Sequence, residues 1–241
     1  MNITRSQPVW LFDLDNTLHD ASHAIFPQIM ANMNVYMARV LGDGDTPASE
    51  ERVNAVRTQY WRRYGATLLG LVKHHGVDPA HFLQETHTMA RLHEMIRAEN
   101  GLRQLLRRLP GRKILLTNAP QRYSRQVLRH LGLHKHFHQH VPVEAMRVHG
   151  QMRPKPSRLM LRKLMRQHGL VARRCILVED TLANLRSAAA LGMRTAWVTQ
   201  YLRLGDKVGL AHPQKTLNRP AWVDVKVKSV RQLPARLHRL R

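Results

Sequence analysis

Short apolar runs that end against polar residues constrain this chain more than any other feature. Five recur: "VWLF" at 9–12, which runs into Asp13 and Asp15, "KILLTN" at 113–118, "HVPVEA" at 140–145, "CILVED" at 175–180 and "TAWVTQ" at 195–200. Each has the length and bounding of a buried strand. Between them lie helical stretches with proline at starts and glycine at ends. "GLRQLLRRLP" closes at Pro110 and "QRYSRQVLRHLGL" at Gly132. "PSRLMLRKLMRQHGL" follows Pro156 and closes at Gly169, and "TLANLRSAAALGM" closes at Gly192. In "RLMLRKLM", Leu159, Met160, Leu164 and Met165 recur at helical spacing and read as core. Strands alternating with helices predict a parallel sheet covered on both faces.

The segment from about 22 to 100 breaks this alternation. It offers no convincing strand. "FPQIMANMNVYMARVLG", "SEERVNAVRTQYWRRYG" and "PAHFLQETHTMARLHEMI" read as amphipathic helices, joined by the turn-rich "GDGDTP" and "GVDP". The charge divides in the same place. Residues 19–100 hold 8 Lys/Arg and 9 Asp/Glu, whereas the rest of the chain holds 31 and 7. The predicted organisation is an α/β core of residues 1–18 and 101–241, interrupted by an all-helical unit of residues 19–100. The tail "VDVKVKSVRQLPARLHRLR" begins as an alternating strand and ends in a basic stretch read as partly disordered.

Other readings are exclusions. A single cysteine, Cys175, rules out a disulfide within the chain and reads as core. The first residues, "MNITRSQP", lack a signal pattern, and no run approaches the roughly 18 apolar residues of a membrane span. A soluble, cytoplasmic protein is expected. "HLGLHKHFHQH" at 130–140 is histidine-rich but has no cysteine and no second cluster at ligand spacing, so a solvated loop is expected there.

In an open parallel sheet, ligands collect at the carboxyl ends of the strands. Asp13 and Asp15 end one run, Thr117 and Asn118 another, Glu179 and Asp180 a third, and Lys155 opens a helix in "RPKPS". Several carboxylates at one place repel unless a cation joins them, and an all-oxygen site suits Mg2+. Carboxylates, a lysine and a hydroxyl around a hard cation are organised for phosphoryl chemistry. Asp13 can attack phosphorus and Asp15 can act as acid and base, while Thr117 and Lys155 hold phosphoryl oxygens.

"DLDNTL" at 13–18, "TN" at 117–118, "KP" at 155–156 and "EDTLANLRSAAALG" at 179–192 resemble, in order and approximate spacing, the four motifs of the haloacid dehalogenase superfamily of phosphatases. The resemblance covers nearly the whole chain. It implies a Rossmann-like core with a helical cap inserted after the first motif. It implies Asp13 as nucleophile and metal ligand, and Asp15 as general acid/base that also binds metal through its carbonyl. Thr117 becomes the phosphoryl-binding hydroxyl and Lys155 the charge-stabilising lysine. Asp180 becomes a direct metal ligand, with Glu179 beside it acting through water. The superfamily's dehalogenases lack the acid that Asp15 supplies.

"FDLDNTLHDAS" and "YWRRYGATLLGLVKHHGVDPAHFL" are similar to pyrimidine 5'-nucleotidases of that superfamily, which take phosphate from UMP and CMP. The substrate-contact candidates are then Thr117, Asn118 and Lys155 in the core, His19 beside the first motif, and Tyr64, Thr67 and Leu68 in the cap. His19 is a departure, because these relatives often carry tyrosine there. Other small esters, phosphoglycolate or a sugar phosphate, are rival substrates. Nucleic-acid binding is the rival from another class: the net charge of +23 favours it, and the 5% aromatic content disfavours it.

Overall fold

The computed structural model describes residues 7–202 and 218–240. Strand β1 (Val9–Phe12) leads into five helices: α1 (Ile25–Leu41), α2 (Glu50–Tyr64), α3 (Thr67–His75), α4 (Pro79–His87) and α5 (Leu92–Met95). Alternation then sets in, with α6 (Leu102–Arg108), β2 (Arg112–Leu116), α7 (Gln121–His130) and β3 (Gln139–Val141). A small hairpin, β4 (Arg147–Val148) and β5 (Gln151–Met152), precedes α8 (Arg158–Gln167) and β6 (Cys175–Glu179). After α9 (Leu182–Ala189) come β7 (Arg194–Val198) and β8 (Val225–Val227).

Six strands form one parallel sheet in the order β3-β2-β1-β6-β7-β8. The order reverses between β1 and β6, which is where an open sheet of this kind leaves a crevice. Side chains alternate between two apolar layers, as the strand period of two requires. Trp10, Phe12, Leu115, Ile176 and Val178 enter the layer under α6 and α7. Leu11, Ile114, Leu116, Leu177 and Trp197 enter the layer under α8 and α9. The strands are covered on both sides, so their sequences read as continuous apolar runs.

The inserted helices build a third apolar cluster of their own, with Met33, Met37, Tyr60, Leu71 and Phe82 at its centre. Their ends follow local chemistry. Ser49 caps α2 through the Arg52 amide, Asp78 caps α4 with Pro79 at its first position, and Ser157 caps α8. Gly65 ends α2 at φ +79°, a left-handed conformation that costs glycine little.

Several expectations change. Helix α3 was not foreseen: Gly70 interrupts its apolar pattern, yet the position requires glycine, because a Cβ there would lie 2.2 Å from the Tyr60 ring. "PAHFLQETHTMARLHEMI" is two helices, α4 and α5, not one. The run at 140–145 is strand only to Val141, since Pro142 cannot donate to the ladder and a 3-10 turn follows. Leu159 is 51% exposed, and Met160, Leu161 and Leu164 form the buried stripe of α8. The tail is ordered through Leu240, with 3-10 turns at Val230–Gln232 and Pro234–Arg239 anchored by buried Leu233 and Leu240. No helix among the described residues is long and apolar enough to cross a membrane.

Candidate active site

The register of β1, β2 and β6 brings the first, second and fourth motifs to one end of the sheet. Asp13 continues the ladder, its N–H donating to the Val178 carbonyl at 3.0 Å, and the Thr117 N–H donates to the Val141 carbonyl at 3.1 Å. The turn after β1 is made by Asn16 at φ +58°, a conformation asparagine tolerates. Its amide is held by Ser22, donating to the hydroxyl at 2.8 Å and accepting from the N–H at 3.1 Å.

Lys155 is the centre of the charge arrangement. Its Nζ donates to Asp13 Oδ1 at 2.6 Å and to Glu179 Oε2 at 2.7 Å, and all three residues are buried. Asn118 places this lysine. Its Nδ2 donates to the Lys155 carbonyl at 3.0 Å, and its Oδ1 accepts from the Lys155 N–H at 2.9 Å. Thr17 Oγ1 donates to the other oxygen of Asp13 at 3.1 Å. Thr117 Oγ1 accepts from the Ala119 N–H at 3.0 Å, which leaves its own proton for an acceptor in the cavity. In the fourth motif the Thr181 N–H donates to Glu179 Oε1, and Thr181 Oγ1 donates to Asp180 Oδ1. The Trp197 indole donates to the Asp180 carbonyl at 2.9 Å.

Asp13, Glu179 and Asp180 offer oxygens that all lie within 4.8 Å of one another. Three buried carboxylates face a single buried ammonium, so the cluster is short of positive charge. The ionisation states show it. Burial, then Glu179, pushes Asp13 up to about 7 against the pull of Lys155. Burial and Glu179 hold Asp180 well above the carboxylate range. Burial also opposes ionisation of Glu179, but Lys155 outweighs it and holds that carboxyl below its usual value. Lys155 is raised, since its two carboxylates outweigh its own burial. This oxygen-only set with its surplus of negative charge fits a hard divalent cation. It is the set of Asp13, Asp180 and Glu179 named from sequence. The side chain of Asp15 stands outside it.

Asp15 is held separately. Its Oδ1 accepts from the Tyr123 hydroxyl at 2.6 Å and from His19 Nε2 at 2.9 Å. Since a carboxylate only accepts, Nε2 is a donor, and the buried Nδ1 has no partner. Burial opposes ionisation of Asp15, but the bond and charge of His19 and the bond from Tyr123 draw its carboxyl below the usual range. Oδ1 is occupied, no hydrogen bond among the described residues engages Oδ2, and Asp15 lines the cavity beside the cluster.

A cavity of about 260 Å3 lies between α1, α3 and α4 and this sheet edge. Asp13, Asp15, Thr117, Asn118, Lys155, Glu179, Asp180 and Asn184 form its polar floor. Phe26, Ile29, Met33, Leu68, Phe82 and Leu83 form much of its roof. Two candidates fall elsewhere. His19 is fully buried behind Asp15, so it holds the acid and is screened from the cavity. Tyr64 is turned away, with its hydroxyl on His74 Nε2 at 2.6 Å. Thr67 and Leu68 do line the wall, as does Trp61. In the histidine-rich stretch, His140 bonds Ser124, and no group of metal-ligating spacing forms there among the described residues. Tyr123 and Thr17 were missed. Only the position of Tyr123 in the first turn of α7 hinted at it, and tyrosine there is ordinary core.

Comparison with known proteins bears on the same residues. The model of the haloacid dehalogenase-like hydrolase family matches residues 9–192. Phosphate metabolism protein 8 of Saccharomyces cerevisiae is 24% identical over 206 residues, covering 78% of this chain. The chain spans 60% of the length of that relative. A HAD phosphatase from Thermococcus onnurineus superposes with a TM-score of 0.62 at 16% identity, covering 96% of this chain and 98% of the other. L-2-haloacid dehalogenase from Xanthobacter autotrophicus, with chloropropionic acid covalently bound, gives 0.56 at 16% identity, covering 97% and 99%. Both structures share the fold.

Proposed function

The chain belongs to the haloacid dehalogenase-like hydrolases, and we propose that it is a Mg2+-dependent phosphomonoesterase working through an aspartyl-phosphate, with pyrimidine nucleoside 5'-monophosphates as substrates. The observation that carries this reading is Asp15. It is a second carboxylate two residues beyond Asp13, wired to Tyr123 and His19 with one oxygen free. A dehalogenase needs no proton donor for a departing halide, whereas an ester needs one for its departing alkoxide. The yeast relative's name, which places that protein in phosphate metabolism, agrees with this choice.

In the proposed reaction a carboxylate oxygen of Asp13 attacks phosphorus as the ester P–O bond breaks. Asp15, which its surroundings hold ionised, takes up a proton as the substrate binds and gives it to the leaving oxygen. Asp15 then takes a proton from water, which attacks the aspartyl-phosphate and releases inorganic phosphate, restoring both carboxyls. Lys155 and the Thr117 hydroxyl hold phosphoryl oxygens as charge builds. Asp13, Asp180 and Glu179, with the Asp15 carbonyl, would hold the cation. Bound there, Mg2+ supplies the missing positive charge that keeps Asp13 anionic and neutralises the transferring group. Residues 19–100 serve as the cap over a core of 1–18 and 101–241, its apolar roof excluding water from the intermediate.

The test is a substrate panel with magnesium: UMP, CMP, a purine monophosphate, a sugar phosphate and phosphoglycolate, compared by kcat/KM. Preference for UMP and CMP supports the nucleotidase reading. A lead of more than tenfold for phosphoglycolate ends that reading and leaves the phosphomonoesterase intact. No turnover of any ester ends both.

A further inference from the structure

His87 closes α4 over the cavity, and neither the motifs nor the reaction above uses it. Its Nδ1 lies 3.1 Å from the Leu83 carbonyl and 2.9 Å from Thr86 Oγ1. The carbonyl can only accept. The Thr86 hydroxyl already donates its proton to the Phe82 carbonyl at 2.8 Å, so it too accepts from the ring. Two acceptors on one nitrogen fix the tautomer: Nδ1 carries the proton and Nε2 carries a bare lone pair. Burial holds this imidazole down at about 4, against Asp15 and the Leu83 bond, so it stays neutral in ordinary buffers.

The position of the ring is equally fixed. It packs edge-on against Tyr123, with centroids 5.7 Å apart, and the Tyr123 hydroxyl is the group that holds Asp15. His87 and Asp15 line the same cavity, and nothing among the described residues donates to Nε2. If Asp15 delivers its proton to the leaving oxygen, the alcohol part of the ester lies on the His87 side. The apolar walls of that cavity include Phe26, Ile29, Phe82 and Leu83.

We infer that Nε2 of His87 is a recognition site for a hydrogen-bond donor, a hydroxyl or amino group, on the leaving alcohol of the substrate. The inference rests on the phosphomonoesterase reading and narrows its substrate class. An apolar pocket with one fixed acceptor selects a carbon skeleton bearing a donor, as ribose does. The carboxylate of phosphoglycolate brings only acceptors, so it would meet the lone pair unpaired and be disfavoured.

The experiment uses the full chain with magnesium and two matched pairs. These are UMP against its 2',3'-dideoxy analogue, and glycerol 3-phosphate against n-propyl phosphate. In the wild type, kcat/KM should favour the donor-bearing member of at least one pair by about tenfold, the scale of one hydrogen bond in a desolvated site. His87→Phe should bring that ratio to within about twofold. His87→Gln, whose Oε1 can accept, should keep part of it. An unchanged ratio in His87→Phe, an equal fall for both members, or no wild-type preference in either pair overturns the inference. If only the glycerol pair shows the effect, the site stands and the nucleotidase reading falls. If the wild type turns over neither pair, this assignment falls, and the phosphomonoesterase reading falls with it only if no ester of the substrate panel is turned over either.

Discussion

The hydroxyl of Tyr123 stands 2.6 Å from Oδ1 of Asp15, although 108 residues separate them in the chain. That bond aims the carboxyl and leaves Oδ2 as the oxygen that can carry a proton. Tyr123→Phe keeps the buried ring and removes only the bond, so the fold and the KM should hold while kcat falls. A hydrogen bond to a charged group contributes about 1.5–3 kcal/mol, which corresponds to a fall of roughly 10- to 100-fold. Steady-state kinetics checks this. An unchanged kcat would remove Tyr123 from the machinery.

Asp13→Asn should abolish turnover, because an amide has the shape of the carboxylate but no nucleophilic anion. The same variant has a stability signature in the metal-free protein. The Asp13 carboxyl sits at about 7 in the fold against 3.8 as its ordinary value. The folded state therefore holds its proton more tightly, and stability falls as pH rises from about 4 through about 7. The contribution is on the order of a few kcal/mol. The substituted amide does not titrate, so thermal melts of the variant should lose that part of the decline. Identical pH profiles for both proteins would sink the assignment.

Removal of divalent cations should abolish activity, and magnesium should restore it. Asp180→Asn should raise the magnesium concentration needed for half-maximal activity at least tenfold. Binding only to the folded state, magnesium should also raise the melting temperature of the wild type. Full activity after exhaustive chelation would refute the role given to the three carboxylates.

Gly70→Ala tests the packing of the inserted helices. The new methyl would meet the Tyr60 ring at 2.2 Å, and Tyr60 is pinned by its hydroxyl on His75 Nε2 at 2.8 Å. Overpacking of this kind costs about 1–3 kcal/mol. Denaturant unfolding should show a loss in that range, with catalysis at saturating substrate less affected than stability. A neutral substitution would mean that the ring moves freely.

The +23 net charge predicts a rate effect. A basic surface speeds the arrival of a dianionic ester at low salt, and the help fades as the Debye length shrinks from about 10 Å at 0.1 M to 3 Å at 1 M. With a salt that does not bind the site, kcat/KM should decline with ionic strength and kcat should not. A salt-independent kcat/KM would make the charge irrelevant to substrate capture.

The amino-acid sequence by itself determined the sheet, the interruption after the first strand, and the identity of Asp13, Asp15, Thr117, Lys155, Glu179 and Asp180 as groups meeting at one edge. The reason is local. Strands buried on both faces must be apolar throughout, and in a parallel sheet every residue just past such a run arrives at the same end. Tertiary structure alone decided which groups touch them. Periodicity tells that Tyr123 is on the buried face of α7 but not that its hydroxyl reaches Asp15. It also cannot tell that His19 turns inward to the same oxygen, or that Tyr64 turns to His74 and away from the cavity. His87 was invisible for the same reason. Its tautomer is set within its own helix, but its meaning comes from packing against a ring 36 positions later, at the border between inserted helices and core. A linear pattern records how much of a residue is buried, whereas a site depends on what it is buried against.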